Sequence, residues 1–201
     1  MEFLVTMTTE VPDGTALDTV ADTRRAEADH SRLLAEQGSL RRLWRPPLKP
    51  GEWRTLGLFA ADDAIRLESI LAAMPLRIWR TDDVTPLAPH PNDPDLSGVG
   101  EEREYFVATT VTIPVGTPAT AVDDTMRRES QRARELADRG HLRRLWALPN
   151  DGSALGLWHA HGAYELDGIL TALPLHAWMK TVITALSPHP NDPGREAPSR
   201  H

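Results

Sequence analysis

The chain has 201 residues, 40% of them apolar and 25% charged, with a net charge of −7 and no cysteine. Such a composition suits a folded globular protein and excludes disordered and membrane-spanning classes. Nucleic-acid and anionic-membrane surfaces are excluded as well, because both need clustered Lys and Arg, whereas the arginines here lie in small local groups. Without cysteine there is neither a disulfide framework nor a thiolate site. Met1 to Thr9 lacks the basic flank and cleavage site of a signal peptide, so a cytoplasmic location is expected.

Taken in chain order, Glu2 to Thr9 is a β-branched and aromatic run that reads as a strand. A long helical segment follows, Ala16 to Gln37, closed by Gly38 at the position where helices favour glycine. Leu40 to Arg45 and Trp53 to Phe59 are two short strands joined by a Pro/Gly turn. A second helix, Asp62 to Ala73, stops before Pro75, and a last strand runs to about Leu87. The whole order then recurs: strand Glu104 to Thr112, helix Ala119 to Arg139, strands Leu142 to Ala147 and Ala154 to Trp158, helix Ala163 to Ala172, and a strand to Leu186.

The recurrence is written in the residues themselves. Gly38-Ser39-Leu40-Arg41-Arg42-Leu43-Trp44 returns as Gly140-His141-Leu142-Arg143-Arg144-Leu145-Trp146, and Pro89-His90-Pro91-Asn92-Asp93-Pro94 returns unchanged as Pro188 to Pro193. Such internal repetition decides the architecture. The order βαββαβ is the ferredoxin-like split unit, so the fold class is α+β. Residues 1–94 form one module, 95–103 a linker, 104–193 a second module, and 194–201 a tail expected to be disordered. One such module leaves a sheet face uncovered, and two in one chain can bury those faces as a pseudo-dimer.

The first helix of each module carries a carboxylate on its apolar stripe: Val20, Arg24, Glu27, Ser31, Leu34 in one, and Val122, Met126, Glu129, Ala133, Leu136 in the other. Desolvation raises the pKa of such a group and suits it to general-base work. The structural alternative is an ion pair with Arg24 one turn back or with an arginine of the second strand.

Together these features resemble the muconolactone Δ-isomerase family, twice over. The residues that carry the resemblance are Phe3-Leu4-Val5, Glu27, Gly38 to Trp44, Pro75-Leu76 with Trp79, and Thr85-Pro86-Leu87 with His90-Pro91. In the second module they are Tyr105-Phe106-Val107, Glu129, Gly140 to Trp146, Leu173-Pro174-Leu175 with Trp178, and His189-Pro190. The resemblance implies a dimeric α+β barrel that moves a proton from C4 to C2 of a small unsaturated lactone, without metal or organic cofactor. Glu27 and Glu129 would be the bases. Arg24, Arg42 and Arg144 would be cations for a substrate carboxylate, and Trp79, Trp178 and Met126 would line the pockets. The partner implied is a small-molecule substrate, and homo-oligomers of the pseudo-dimer are left open.

Departures from the family pattern bear on the substrate. The basic position one turn before the glutamate is Arg24 in the first module but Met126 in the second, and the third strand carries Trp53-Arg54-Thr55 against Gly152-Ser153-Ala154. A binding module without catalysis, a cyclase or isomerase acting on a polyketide-like intermediate, and a cofactor-free oxygenase on the same scaffold are the alternatives. His159 and His161 have a permitted metal-ligand spacing, but no third ligand is evident and no metal site is expected. The His-Pro-Asn-Asp-Pro segments read most simply as rigid turns.

Overall fold

A computed structural model describes residues 1–96 and 102–194. Residues 97–101 of the expected linker and 195–201 of the expected tail lie outside the described residues. The architecture is α+β, two βαββαβ modules in one chain. The first consists of β1 (Glu2–Thr9), α1 (Leu17–Glu36), β2 (Leu40–Arg45), β3 (Arg54–Ala60), α2 (Ala64–Ala72) and β4 (Arg80–Pro89). The second consists of β5 (Arg103–Val111), α3 (Ala119–Asp138), β6 (Leu142–Ala147), β7 (Ser153–Ala160), α4 (Ala163–Thr171) and β8 (Met179–Pro188). A short 3-10 helix precedes the last strand of each module, Pro75–Trp79 and His176–Trp178, where the sequence patterns had only a stop signal.

Local chemistry accounts for these elements. Phe3, Val5 and Met7 alternate inward along β1, the period of a strand with one buried face. In β3 five consecutive residues, Thr55 to Phe59, are buried, as befits a strand paired on both edges, with β1 and β2. The helix α1 ends in a Schellman motif: Ser39 N–H donates to Leu34 C=O (2.8 Å) and Gly38 N–H to Ala35 C=O (2.9 Å), with Gly38 at φ 71°. The helix α3 repeats it, with His141 to Leu136 and Gly140 to Ala137 both at 2.9 Å and Gly140 at φ 81°. Sharing this stop between the copies fixes where β2 and β6 begin.

Two compact units emerge, and they divide the chain differently from the repeats. One holds Met1–Leu87 together with the described residues from Ser187 on; the other holds Ala88–Leu186. Within the first, Trp44 and Arg45 of β2 pair with Pro188 and Ser187. Within the second, Ala147 and Trp146 of β6 pair with Ala88 and Pro89. Each unit therefore takes the closing Pro-His-Pro-Asn-Asp-Pro segment of the other repeat, an exchange that leaves no trace in composition or periodicity. The cores are separate: Phe3, Leu40, Phe59, Leu67 and Leu71 in the first unit, and Tyr105, Leu142, Trp158, Leu166 and Leu170 in the second. No helix among the described residues is long and apolar enough to cross a membrane.

Candidate active site

The two glutamates do fall on the inner faces of α1 and α3, and each is held by the same device. Leu76 N–H donates to Glu27 Oε2 (2.9 Å), and Leu175 N–H donates to Glu129 Oε2 (3.0 Å). In both modules the donor is the residue after a proline, Pro75 or Pro174: Leu76 lies in the first turn of its 3-10 helix and Leu175 caps the start of the other. Since a proline nitrogen carries no hydrogen, the Pro-Leu pair presents one N–H to the carboxylate, which gives the Leu-Pro-Leu signature a structural reason.

Beyond that shared bond the two sites part. Glu27 is 8% exposed and receives Arg80 Nη1 on its Oε1 at 3.0 Å. Arg80 is itself buried, with its Nε 2.7 Å from Asp82 Oδ1, within ion-pair range though not aligned for a hydrogen bond. Asp82 also meets Arg77, whose other nitrogen reaches Glu68 at 2.8 Å. The chain Glu27–Arg80–Asp82–Arg77 is thus a network of alternating charge, buried as far as Asp82 and partly exposed at Arg77. In the second module its positions hold Glu129, Met179, Thr181 and His176. Among the described residues no cation forms an ion pair with Glu129. Burial raises the pKa of Glu129 above the ordinary carboxylate value, offset in part by the Leu175 N–H and by the charge of Arg132 nearby.

Each glutamate faces a cavity. The first, of about 280 Å³, is lined by Glu27, Arg24, Arg25, Arg45, Trp53, Thr55, Arg80 and His189 among others. The second, of about 510 Å³, is lined by Glu129, Met126, Ala133, Leu142, Leu145, Trp158, Leu173, Leu175, Met179 and His90, and by no Arg or Lys among the described residues. The first wall is cationic and the second apolar. Arg24 also stacks on the Trp53 ring, 5.1 Å from its centroid.

His189 and His90 reach these cavities because of the exchanged segments. Asp192 accepts from Leu43 N–H (2.9 Å) and from Arg42 Nε (3.1 Å); Asp93 accepts from Leu145 N–H (2.8 Å) and from Arg144 Nε (3.3 Å). The aspartate clamps the segment to the second strand, and the histidine that opens the turn is set in the cavity wall. Asn92 N–H donates to His90 Nδ1 and Asn191 N–H to His189 Nδ1, both at 3.1 Å, which leaves the proton of the neutral ring on Nε2. Burial lowers the pKa of His90, against the charge of Asp93. Burial, with Arg45 and Arg24, lowers that of His189 to about 4.

A family model, muconolactone delta-isomerase, matches residues 1–93 and again residues 103–192. The chain belongs to the muconolactone Δ-isomerase family. Muconolactone Delta-isomerase 1 of Acinetobacter lwoffii is 31% identical over 87 residues, 43% of this chain and 91% of that protein. A muconolactone Delta-isomerase of Cupriavidus pinatubonensis is 30% identical over 87 residues, 43% of this chain and 95% of that protein. One such isomerase thus corresponds to one module, and this member of the family holds two. A solved heme-binding protein from Thermus thermophilus matches 95% of this chain and 93% of its own at a TM-score of 0.61 and 12% identity, a likeness that shows the fold alone.

Against the expectations from sequence, Glu27, Glu129, Arg24 and Met126 all line the cavities. Arg42 and Arg144 do not: both are turned to Asp192 and Asp93 and stack on Trp44 and Trp146 at 4.7 Å. Alternation along β2 and β6 puts them on the side where the exchanged aspartate docks. Trp79 and Trp178 line neither cavity; they end the 3-10 helices, and their carbonyls accept from Glu10 and Thr112 N–H at 2.8 Å. The ion-pair partner of Glu27 is Arg80, rather than Arg24 or a second-strand arginine. His159 is buried against Glu104 (3.2 Å), whereas His161 is exposed and faces Glu102 (3.4 Å), so the two rings do not converge. Sequence reading missed Arg80 and Trp158, although aligning the two copies shows both as positions where charge or hydrogen-bonding changes between modules.

Proposed function

We propose that the protein is a cofactor-independent isomerase that shifts a proton within a small unsaturated lactone, with Glu129 as its general base. The observation that carries this reading is the state of Glu129: a carboxylate on an apolar cavity wall, held by one backbone N–H, with its pKa raised and no cation paired to it among the described residues. An ionised Glu129 takes the proton from C4 of the lactone, and the electron pair moves through the ring onto the carbonyl oxygen as a dienolate. The carboxylic acid so formed returns the proton at C2, so the ring double bond has moved and the enzyme is unchanged. One group serves as base and then acid, which its intermediate basicity favours.

In this reading Glu27 has a different task. Tied to Arg80 in an ion-pair network, its carboxylate is taken up by a guanidinium and a backbone N–H, and it anchors the helix to the last strand. The first cavity, with Arg24 and Arg45 on its wall, is then suited to an anion.

The test is exchange of solvent deuterium into a panel of butenolides. Glu129→Gln is expected to lower the exchange rate by roughly 10²–10⁴-fold, the usual contribution of a positioned general base. Glu27→Gln should leave most of the rate in whatever protein remains folded. Equal loss in the two variants would assign the chemistry to both modules, and full exchange in Glu129→Gln would sink the mechanism.

A further inference from the structure

Besides its charge, the second cavity differs from the first in carrying an indole N–H where the first module has a plain aromatic ring. Trp158 stands where the first module has Phe59, and it is 5% exposed and lines the cavity beside Glu129. Its ring is held over Gly156, where a Cβ would come within 2.2 Å of the indole nitrogen. The indole N–H is buried without a hydrogen-bond partner among the described residues. A buried donor left unsatisfied is destabilising, and retention of one on a cavity wall points to an acceptor brought by a ligand.

The charges around this cavity also speak to the ligand. Met126, Ala147 and Met179 occupy the places of Arg24, Arg45 and Arg80, and Arg127, in the place of Arg25, does not line the second cavity. The arginine whose charge acts on Glu129, Arg132, is bound to Glu135 at 3.0 Å and does not line the cavity. His90 on the wall is a neutral ring at pH 7, since burial lowers its pKa. A second carboxylate here would meet Glu129 with no cation to compensate.

We propose that the second cavity takes an uncharged cyclic carbonyl compound, a lactone or enone without a carboxylate, whose carbonyl oxygen accepts the Trp158 indole N–H. This rests on the isomerase reading for its catalytic meaning and extends it to the substrate. In that arrangement the N–H bonds the oxygen on which negative charge develops when Glu129 takes a proton, so it stabilises the dienolate more than the ground state.

The inference is tested on the full chain labelled with ¹⁵N at the tryptophan indoles, with the Trp158 signal assigned by Trp158→Phe. The unsubstituted butenolide ring and the same ring bearing an acetate side chain are the two probes. With the uncharged ring, the Trp158 indole proton is expected to move downfield and to saturate. The acetate-bearing ring should shift it only at about tenfold higher concentration or more, because an unpaired buried charge is disfavoured. Met126→Arg, a change at a half-exposed position, should bring the two affinities together. An unmoved Trp158 signal at saturating lactone, or wild-type preference for the acetate-bearing ring, would overturn the proposal. Saturable shifts without deuterium exchange would support it while removing the catalytic reading; Glu129-dependent exchange with Trp158 unmoved would do the reverse.

Discussion

Glu129 and His189 titrate in opposite senses, and the signs separate their effects. The pKa of Glu129 is raised in the fold, so the folded state holds its proton more tightly than the unfolded chain. Its favourable contribution is present at low pH and is lost as pH rises through the raised value. Glu129→Gln should therefore raise the melting temperature at pH 7, and the gain should shrink as pH falls below the ordinary carboxylate range. A base must also be ionised to work, so the acid limb of the exchange rate should fall above the pH expected of a solvated glutamate; a limb at that ordinary value would argue that Glu129 is not the base. His189, lowered to about 4, is neutral in the fold while the unfolded chain takes up a proton below pH 6.5. Stability should decline between pH 6.5 and about 4, and His189→Phe should flatten that slope in a melting series. Arg80 gives a third expectation. Arg80→Met, the residue of the second module, leaves Glu27 and Asp82 buried beside less positive charge and should cost about 3–5 kcal/mol. Adding Glu27→Gln and Asp82→Thr should recover most of that in a denaturant titration. Failure to recover would show that the network is held by something other than charge pairing.

At the scale of elements, period and stop signals carried most of the fold. The strands β2 and β6 begin at Leu40 and Leu142 as the glycine stops require, and α1 and α3 keep the bounds that the stripe around Glu27 and Glu129 implies. Their inward placement was legible because helical spacing fixes which residues share a face. The 3-10 helices were not, since a single turn has no period to read, and with them went the roles of Trp79 and Trp178. Arg42 and Arg144 were misplaced for a related reason. Strand alternation says which side a residue faces but not what docks there, and their partners Asp192 and Asp93 arrive from the far end of the other repeat. The repeated His-Pro-Asn-Asp-Pro is thus a clip: proline rigidity shapes the turn, aspartate fastens it, and histidine is delivered to a cavity. Asp93→Asn keeps the shape of the clip and removes its charge. It should weaken the second site while leaving the first intact, which the Trp158 signal and a probe of the first cavity would show separately.

For the whole molecule, duplication within one chain lets two sites diverge that identical subunits would keep alike. A homodimer that lost Arg80 would lose it at both glutamates; here Met179 and Arg80 coexist, so one glutamate is paired and the other is not. Through the exchange of closing segments each unit is completed by residues of the other repeat. The first unit needs the residues from Ser187 on, which supply Asp192 for Arg42 and Leu43 N–H. A polypeptide of residues 1–94 alone removes that carboxylate but keeps an equivalent one, Asp93, in the same clip sequence. Two such polypeptides can satisfy each other by exchanging clips, since Asp93 of one can fill the place of Asp192 against the other's β2. Sedimentation should then report a dimer for residues 1–94, and Asp93→Ala in that fragment should dissociate it into monomers of low stability. A stable, well-folded monomer would mean that the clip is dispensable, and that the divergence of the two sites has some other restraint.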